Sequence, residues 1–140
     1  IWASFVVGKS VRHELGSQVA KAMIKLTGKL AIGIIDNDKK KPSYFSEFKE
    51  IDKSDGLQLL QKPKTQHFII VVDPAIEKWI LSMANAGGVK HSYTFETLKQ
   101  AMKKEKADQD NNLKNFLNSI KQKNPKGVSD YKKWIQQRIA

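Results

Sequence analysis

The sequence contains no cysteine, which excludes disulfide bonds and zinc sites built on thiolates. It has no apolar run near the roughly 20 residues of a membrane-spanning helix. Its N-terminal residues lack the basic segment and cleavage site of a signal peptide. We therefore expect a cytoplasmic protein with no membrane partner. The chain does not begin with methionine, and we expect residues to precede Ile1.

The phosphate-binding motif of P-loop enzymes is also missing. That motif needs a glycine five positions before Gly8-Lys9-Ser10, and the residue there is Ala3. The amides at the start of the helix predicted after this turn still favour an anion. Lys9 is therefore a candidate contact to a phosphodiester, and a plain helix start capped by Ser10 is the alternative. The three histidines are scattered and have no metal-binding spacing.

Acidic residues are in the minority. The 140 residues include 25 Lys+Arg and 14 Asp+Glu, and the formal net charge of +11 favours a polyanionic partner, nucleic acid first. The alternative is that the lysines only solvate helix faces. The length fits one domain. Within it we predict an α/β core over residues 1–88, with a net charge of +4, and a basic helical region over residues 89–140, with +7, packed on the same domain.

Short apolar runs mark the predicted strands. They are Trp2–Val7, Leu30–Ile35, a short edge strand at Leu57–Leu60, and His67–Val72. Predicted helices cover 11–26, Ser43–Ile51, the segment from Asp73-Pro74 to Gly87, Phe95–Lys106, Leu113–Lys123 and Asp130–Ala140. The alternation of strands and helices predicts an α/β fold. We expect a mostly parallel four-stranded sheet flanked by helices and followed by a helical basic C-terminal region.

Two acids follow the second predicted strand. Asp36 and Asp38 are separated by one residue, so their side chains lie on the same side of an extended chain. Ligands in open α/β sheets bind at the carboxyl ends of strands. Two close carboxylates favour a hard divalent cation such as Mg²⁺. The alternative is that the acids are ordinary turn or helix-capping residues.

A third acid follows the last predicted strand. Asp73-Pro74 is expected to open a helix, with Asp73 as its cap and Pro74 as its first residue. Glu77 lies in the first turn of that helix, where we expect it near Asp36 and Asp38. The alternative is the ordinary favourable interaction of an acid with a helix N-terminus.

The order of these features resembles that of a known family. A strand, a turn and a helix precede the apolar strand that ends in Asp36-x-Asp38, and a later strand leads through Pro74 and Glu77 to Trp79. Over about residues 2–88, this pattern resembles the Toprim-type domains of RloB-like and OLD-type (overcoming-lysogenization) proteins. The resemblance implies a Toprim-like fold with a mostly parallel four-stranded sheet between helices. It also implies Mg²⁺-dependent phosphodiester chemistry, as in topoisomerases, primases and nucleases.

One position departs from the family pattern. Toprim domains place a glutamate, usually followed by glycine, just after the first strand, where this chain has Val7-Gly8. The family assigns general acid/base work or metal binding to that carboxylate. The resemblance therefore implies that Mg²⁺ binds weakly here, and Lys9 adds positive charge where a metal would lie.

Two functional hypotheses follow. In the first, the chain is a Mg²⁺-dependent nuclease or phosphotransfer domain, with Asp36, Asp38 and Glu77 as catalytic residues and the metal on Asp36 and Asp38. In the second, the same fold binds nucleic acid or a protein without catalysis, as the replacement of glutamate by Val7 favours. The candidate nucleic-acid contacts are Lys9, Lys39, Lys40, Lys41 and Lys90.

Overall fold

The computed structural model describes residues 16–37, 41–104 and 106–139. The elements along the chain are α1 (Gly16–Ile24), β1 (Ala31–Asp36), a 3-10 helix (Ser43–Glu47), β2 (Lys49–Ser54), β3 (Leu57–Gln61), β4 (His67–Val72), α2 (Ile76–Ala86), α3 (Phe95–Lys103), a second 3-10 helix (Ala107–Gln109), α4 (Asn111–Lys123) and α5 (Lys126–Ile139). Several predictions fall outside the described residues: the strand Trp2–Val7, the turn Gly8-Lys9-Ser10, and the residues Asp38, Lys39 and Lys40.

The four described strands form one sheet in the order β1-β4-β3-β2. β1 and β4 are parallel, with Ala31 opposite His67 and Asp36 opposite Val72. The other two pairings, β4 with β3 and β3 with β2, are antiparallel. The α/β class is confirmed, but the sheet is mixed, so the prediction of a mostly parallel sheet was wrong.

A β-hairpin causes this difference. The two residues Asp55-Gly56 join β2 to β3, and Gly56 has a φ of 70°, which favours glycine. The helix predicted to reach Ile51 ends at Glu47, because the chain enters β2 at Lys49. The hairpin places β3 between β2 and β4, so the prediction of β3 as an edge strand was also wrong.

Helices cover the two faces of the sheet. One face packs on α1 and on the first 3-10 helix through a cluster that includes Val19, Met23 and Phe45. Gly33 permits this close approach, since a Cβ there would collide with Val19. The other face packs on α2 to α5 in a larger cluster. β4 is buried along its whole length, which explains its continuous apolar sequence.

The three C-terminal helices were predicted approximately. Observed α3, α4 and α5 begin or end up to four residues from the predicted bounds. Their apolar sides are buried in the cluster shared with the sheet, through Leu98, Leu113, Phe116, Leu117, Ile120, Trp134 and Ile135. Exposed lysines lie on their outer sides: Lys103, Lys114, Lys123 and Lys133. The division of the chain at residue 88 stays a prediction. Within the described ranges, no helix has the length and apolarity needed to cross a membrane.

Candidate functional site at the carboxyl edge of the sheet

The parallel pairing of β1 and β4 brings the ends of these two strands together. The Asn37 backbone N–H donates to the Val72 carbonyl at 2.8 Å, which extends the strand ladder by one residue. The side-chain amide of Asn37 donates from Nδ2 to Asp73 Oδ1 at 3.0 Å. Lys41 Nζ donates to Asn37 Oδ1 at 2.8 Å. A hydrogen-bonded row of Lys41, Asn37 and Asp73 therefore lies across this edge.

Asp36 serves as a cap for the helix that follows the neighbouring strand. Its Oδ1 accepts a hydrogen bond from the Ile76 backbone N–H at 3.1 Å. The residue at the N-cap position of α2 is Ala75, which provides no side-chain cap. A carboxylate at this position also interacts favourably with the positive end of the helix dipole. The helix start is thus stabilised by an acid 40 positions earlier in the chain.

The predicted capping role of Asp73 was wrong. Helix α2 begins at Ile76, so Pro74 precedes it, and the Asp73 carboxylate accepts from Asn37 instead. The Asp73 backbone N–H donates to the Gly56 carbonyl at 2.8 Å. Asp73 therefore joins the β2–β3 hairpin to the ends of β1 and β4.

The predicted site residues are only partly described. Asp36 lies at the end of β1, and Glu77 lies half-buried in the first turn of α2, one residue after the amide that Asp36 caps. Lys41 joins the same edge through Asn37. Lys90 lies in the loop after α2 rather than in the strand-end loops. Lys9, Asp38, Lys39 and Lys40 are outside the described residues.

The edge offers few ligands for a metal ion. In the described part of the chain, no three His, Asp or Glu side chains form a group that could hold one. Mg²⁺ needs fewer protein ligands when a substrate phosphate supplies oxygens, since it commonly binds through one or two carboxylates. The carboxylates of Asp36, Asp73 and Glu77 are of the hard-oxygen type that Mg²⁺ prefers. Lys41 opposes a bare cation and favours a cation that arrives with a phosphate.

A second polar network connects α5 to Ser54, the last residue of β2 before the hairpin turn. Asp130 Oδ2 accepts from Lys126 Nζ at 2.8 Å and from Ser54 Oγ at 2.6 Å. The hydrogen bond from Lys126 and then that from Ser54 hold the pKa of Asp130 below its usual value. The pKa of Lys126 is correspondingly raised, chiefly by its hydrogen bond to Asp130. The side chains of Ser54, Lys126 and Asp130 therefore have a structural role, because they connect α5 to β2.

Two residues of the edge were missed from the sequence. Asn37 lies between Asp36 and Asp38, the two predicted metal ligands, but was not itself predicted to contribute. Asp73 was predicted only as a helix cap. The signal was available: each residue directly follows the last residue of an apolar strand. Parallel neighbours place such positions side by side.

Comparison with protein-family models, with curated proteins and with solved structures finds no match to this chain. The function is therefore inferred from the residues and the geometry of the edge.

Proposed function

We propose that this chain is a Toprim-like nucleic-acid-binding domain whose carboxyl edge binds a divalent cation together with a phosphate of the nucleic acid. The observation that supports this most is the convergence of Asp36, Asn37 and Asp73 where the parallel strands β1 and β4 end. Glu77 follows on the helix that Asp36 caps. The net charge of +11 supplies the general attraction for a polyanion.

The cation binds weakly when the nucleic acid is absent. One oxygen of Asp36 already accepts from Ile76, and Lys41 adds a positive charge to the edge. A phosphate would supply the oxygens that the protein lacks. A divalent ion held there neutralises charge on the phosphate oxygens.

A second candidate is binding without any metal or catalysis. The capping bond from Ile76 to Asp36 favours it, because it gives this acid a structural role. The two candidates differ in what Asp36→Asn does. The asparagine oxygen still accepts from Ile76, so the helix cap is kept while the carboxylate is lost.

Calorimetry with Mn²⁺ and Mg²⁺ tests the metal site in the free protein. We expect a dissociation constant on the order of millimolar for the wild type, as few carboxylates are available. Asp36→Asn should weaken it further. Glu47→Gln, an exposed acid in the first 3-10 helix, is the matched control and should change nothing. Equal affinity in the wild type and in Asp36→Asn would refute the metal site.

Cleavage of labelled DNA and RNA separates catalysis from binding. Catalysis predicts product that requires Mg²⁺ or Mn²⁺ and disappears in Asp36→Asn. The non-catalytic candidate predicts intact substrate under every condition in which binding is measured.

Position 7 gives a gain-of-function test that rests on the resemblance. Val7→Glu restores the acid that Toprim domains have there and should raise metal affinity. Val6→Glu, one position away, is the control and should not. Equal effects of the two variants would contradict the alignment of this position with the family.

A further inference from the structure

From His91 in the loop after α2 to Phe95, the first residue of α3, every second residue is aromatic. These three side chains, His91, Tyr93 and Phe95, form what we call the aromatic strip. His91 is exposed, and Tyr93 and Phe95 are half-buried. The ring centroids of His91 and Tyr93 are 6.4 Å apart and lie 4.8 Å and 4.9 Å from that of Phe116. Because Phe116 is buried in α4, it gives the outer rings a fixed support.

Lysines accompany the strip. The ammonium groups of Lys78 and Lys99 lie 5.1 Å and 5.6 Å from the centroid of Phe95. Both distances are within the range of cation–π contacts. Each ammonium group carries three N–H donors and can therefore also bind a phosphate oxygen. Lys90 is exposed beside His91.

The strip begins next to the carboxyl edge. Lys78 directly follows Glu77 in the first turn of α2, and its side chain reaches Phe95 at the start of α3. Tyr93 and His91 precede Phe95 in the chain, and their rings pack on Phe116. A chain bound over Phe95 and Lys78 would therefore lie beside the first turn of α2, the helix that Asp36 caps.

Local hydrogen bonds hold the strip in place. His91 Nδ1 accepts from the Tyr93 backbone N–H at 3.0 Å. Thr94 and Thr97 form a capping box that fixes the start of α3 directly before Phe95. Burial, and then the nearby Asp110, raise the pKa of the Tyr93 hydroxyl, which therefore stays a neutral hydrogen-bond donor.

We propose that the aromatic strip binds single-stranded nucleic acid, with bases stacked on His91 and Tyr93 and phosphates on Lys78, Lys90 and Lys99. This inference rests on the proposed nucleic-acid function and narrows it. Stacking on protein rings requires an exposed base face, which a single strand offers and a paired duplex does not. Glu96 and Asp110 lie close by, so attraction by charge alone is smaller here than the lysines suggest. The rings must then supply a large share of the affinity.

Fluorescence anisotropy with single and double strands tests the strip. The probes are labelled oligothymidylate and oligouridylate of about 12 nucleotides, a usual single-strand site size, and a DNA duplex of the same length. The oligothymidylate and oligouridylate arms distinguish DNA from RNA. The ring variants are His91→Ala and Tyr93→Leu, with thermal unfolding as the check on folding. His91 is exposed, so we expect His91→Ala to fold, although it also removes the acceptor of the Tyr93 N–H.

We expect each ring variant to weaken single-strand binding about 5- to 100-fold, the loss of one base–aromatic stack. Duplex affinity should stay unchanged. Lys99→Gln should also weaken single-strand binding. Its matched control is Lys62→Gln, because Lys62 is likewise half-buried over an aromatic ring, that of Tyr44 at 4.8 Å. The control should keep wild-type affinity.

Three outcomes would contradict the proposal that the aromatic strip binds single-stranded nucleic acid. They are wild-type single-strand affinity in both ring variants, equal losses for single strand and duplex, and equal losses in Lys99→Gln and Lys62→Gln. Duplex binding without single-strand binding in the wild type would reject the strip and leave the proposed nucleic-acid function standing. The absence of binding to every probe at low salt would reject both.

Discussion

At the scale of single residues, Asp36 shows what a sequence reveals and what it hides. Its place at the end of a strand could be predicted, because an apolar run stops there. Its partner could not, since Ile76 is 40 positions away and the two meet only when β1 and β4 pair. The alternative of a capping acid, left open by the sequence, is observed for Asp36, but on a helix from another part of the chain.

The cap gives the first prediction. Asp36→Ala removes the acceptor of the Ile76 N–H and should lower the free energy of unfolding by about 1 kcal/mol. Asp36→Asn keeps an acceptor oxygen and should lower the free energy of unfolding by only a few tenths of a kcal/mol. Urea denaturation at neutral pH measures both. Equal losses would mean that charge rather than the hydrogen bond stabilises the helix start.

The half-buried Tyr44 and the buried Tyr131 should respond differently to loss of the hydroxyl. Tyr44 Oη hydrogen-bonds to Nδ1 of the buried His67 at 2.6 Å, and His67 Nε2 lies 3.0 Å from the Leu26 carbonyl. Tyr44→Phe leaves a buried nitrogen unsatisfied and should lower the free energy of unfolding by about 1–2 kcal/mol. The Tyr131 hydroxyl is buried and makes no hydrogen bond to the described residues. Tyr131→Phe should therefore be neutral or stabilising, and a loss as large as that of Tyr44→Phe would contradict this account.

At the scale of elements, apolar strands are the best-predicted part. β4 was predicted with its observed bounds, His67–Val72, because both of its faces are buried and its sequence is continuously apolar. β2 was missed because its side chains are almost all polar and exposed, so no alternation marks it. The Asp55-Gly56 dipeptide was the available signal for a hairpin, and reading it would have placed an antiparallel pair in the sheet.

The hairpin turn gives a prediction with a built-in control. Gly56→Ala forces alanine to a φ of 70° and places its Cβ 2.7 Å from Cδ1 of the buried Trp79. Gly88→Ala meets nearly the same φ, 68°, with nothing within 4 Å of the new Cβ. We expect Gly88→Ala to cost about 1 kcal/mol through backbone strain. Gly56→Ala should cost at least about 1 kcal/mol more through the added collision. Thermal or urea unfolding of the two variants compares these costs, and equal losses would rule out the collision with Trp79.

The contact of α5 with β2 should depend on pH. The folded-state pKa of Asp130 is below its ordinary value of 3.8, so its contribution to stability is full at neutral pH. That contribution is lost as the pH falls below about 4, because the proton then binds more readily to the unfolded chain. Asp130→Asn should cost about 1 kcal/mol at pH 7 through weaker hydrogen bonds to this position.

Urea unfolding from pH 7 down to pH 3 measures this dependence. The difference between the wild type and Asp130→Asn should shrink as the pH falls through 4. Glu47→Gln, with a side chain 71% exposed, should show no such trend. A difference that stays constant with pH would show that the charge of Asp130 is irrelevant.

At the scale of the whole molecule, the sequence predicted which residues of the helices and strands are buried better than it predicted how the strands pair. The apolar sides of the C-terminal helices are buried, and five of their eight lysines are exposed, whereas Lys99, Lys121 and Lys132 are half-buried. The direction of the strands was missed, since two of the three pairings are antiparallel. The aromatic strip was also missed, because its supporting ring, Phe116, lies more than 20 positions away on another helix.

The central claim is that the carboxyl edge binds a nucleic-acid phosphate through a divalent ion. The most direct test is the affinity for a labelled single-stranded oligonucleotide with and without millimolar Mg²⁺, at constant ionic strength. Mg²⁺ normally weakens such binding, because it competes for the phosphates as a counterion. We predict that it strengthens binding to the wild-type protein and weakens binding to Asp36→Asn, whose helix cap is intact. Weaker binding in Mg²⁺ for both proteins would contradict the claim.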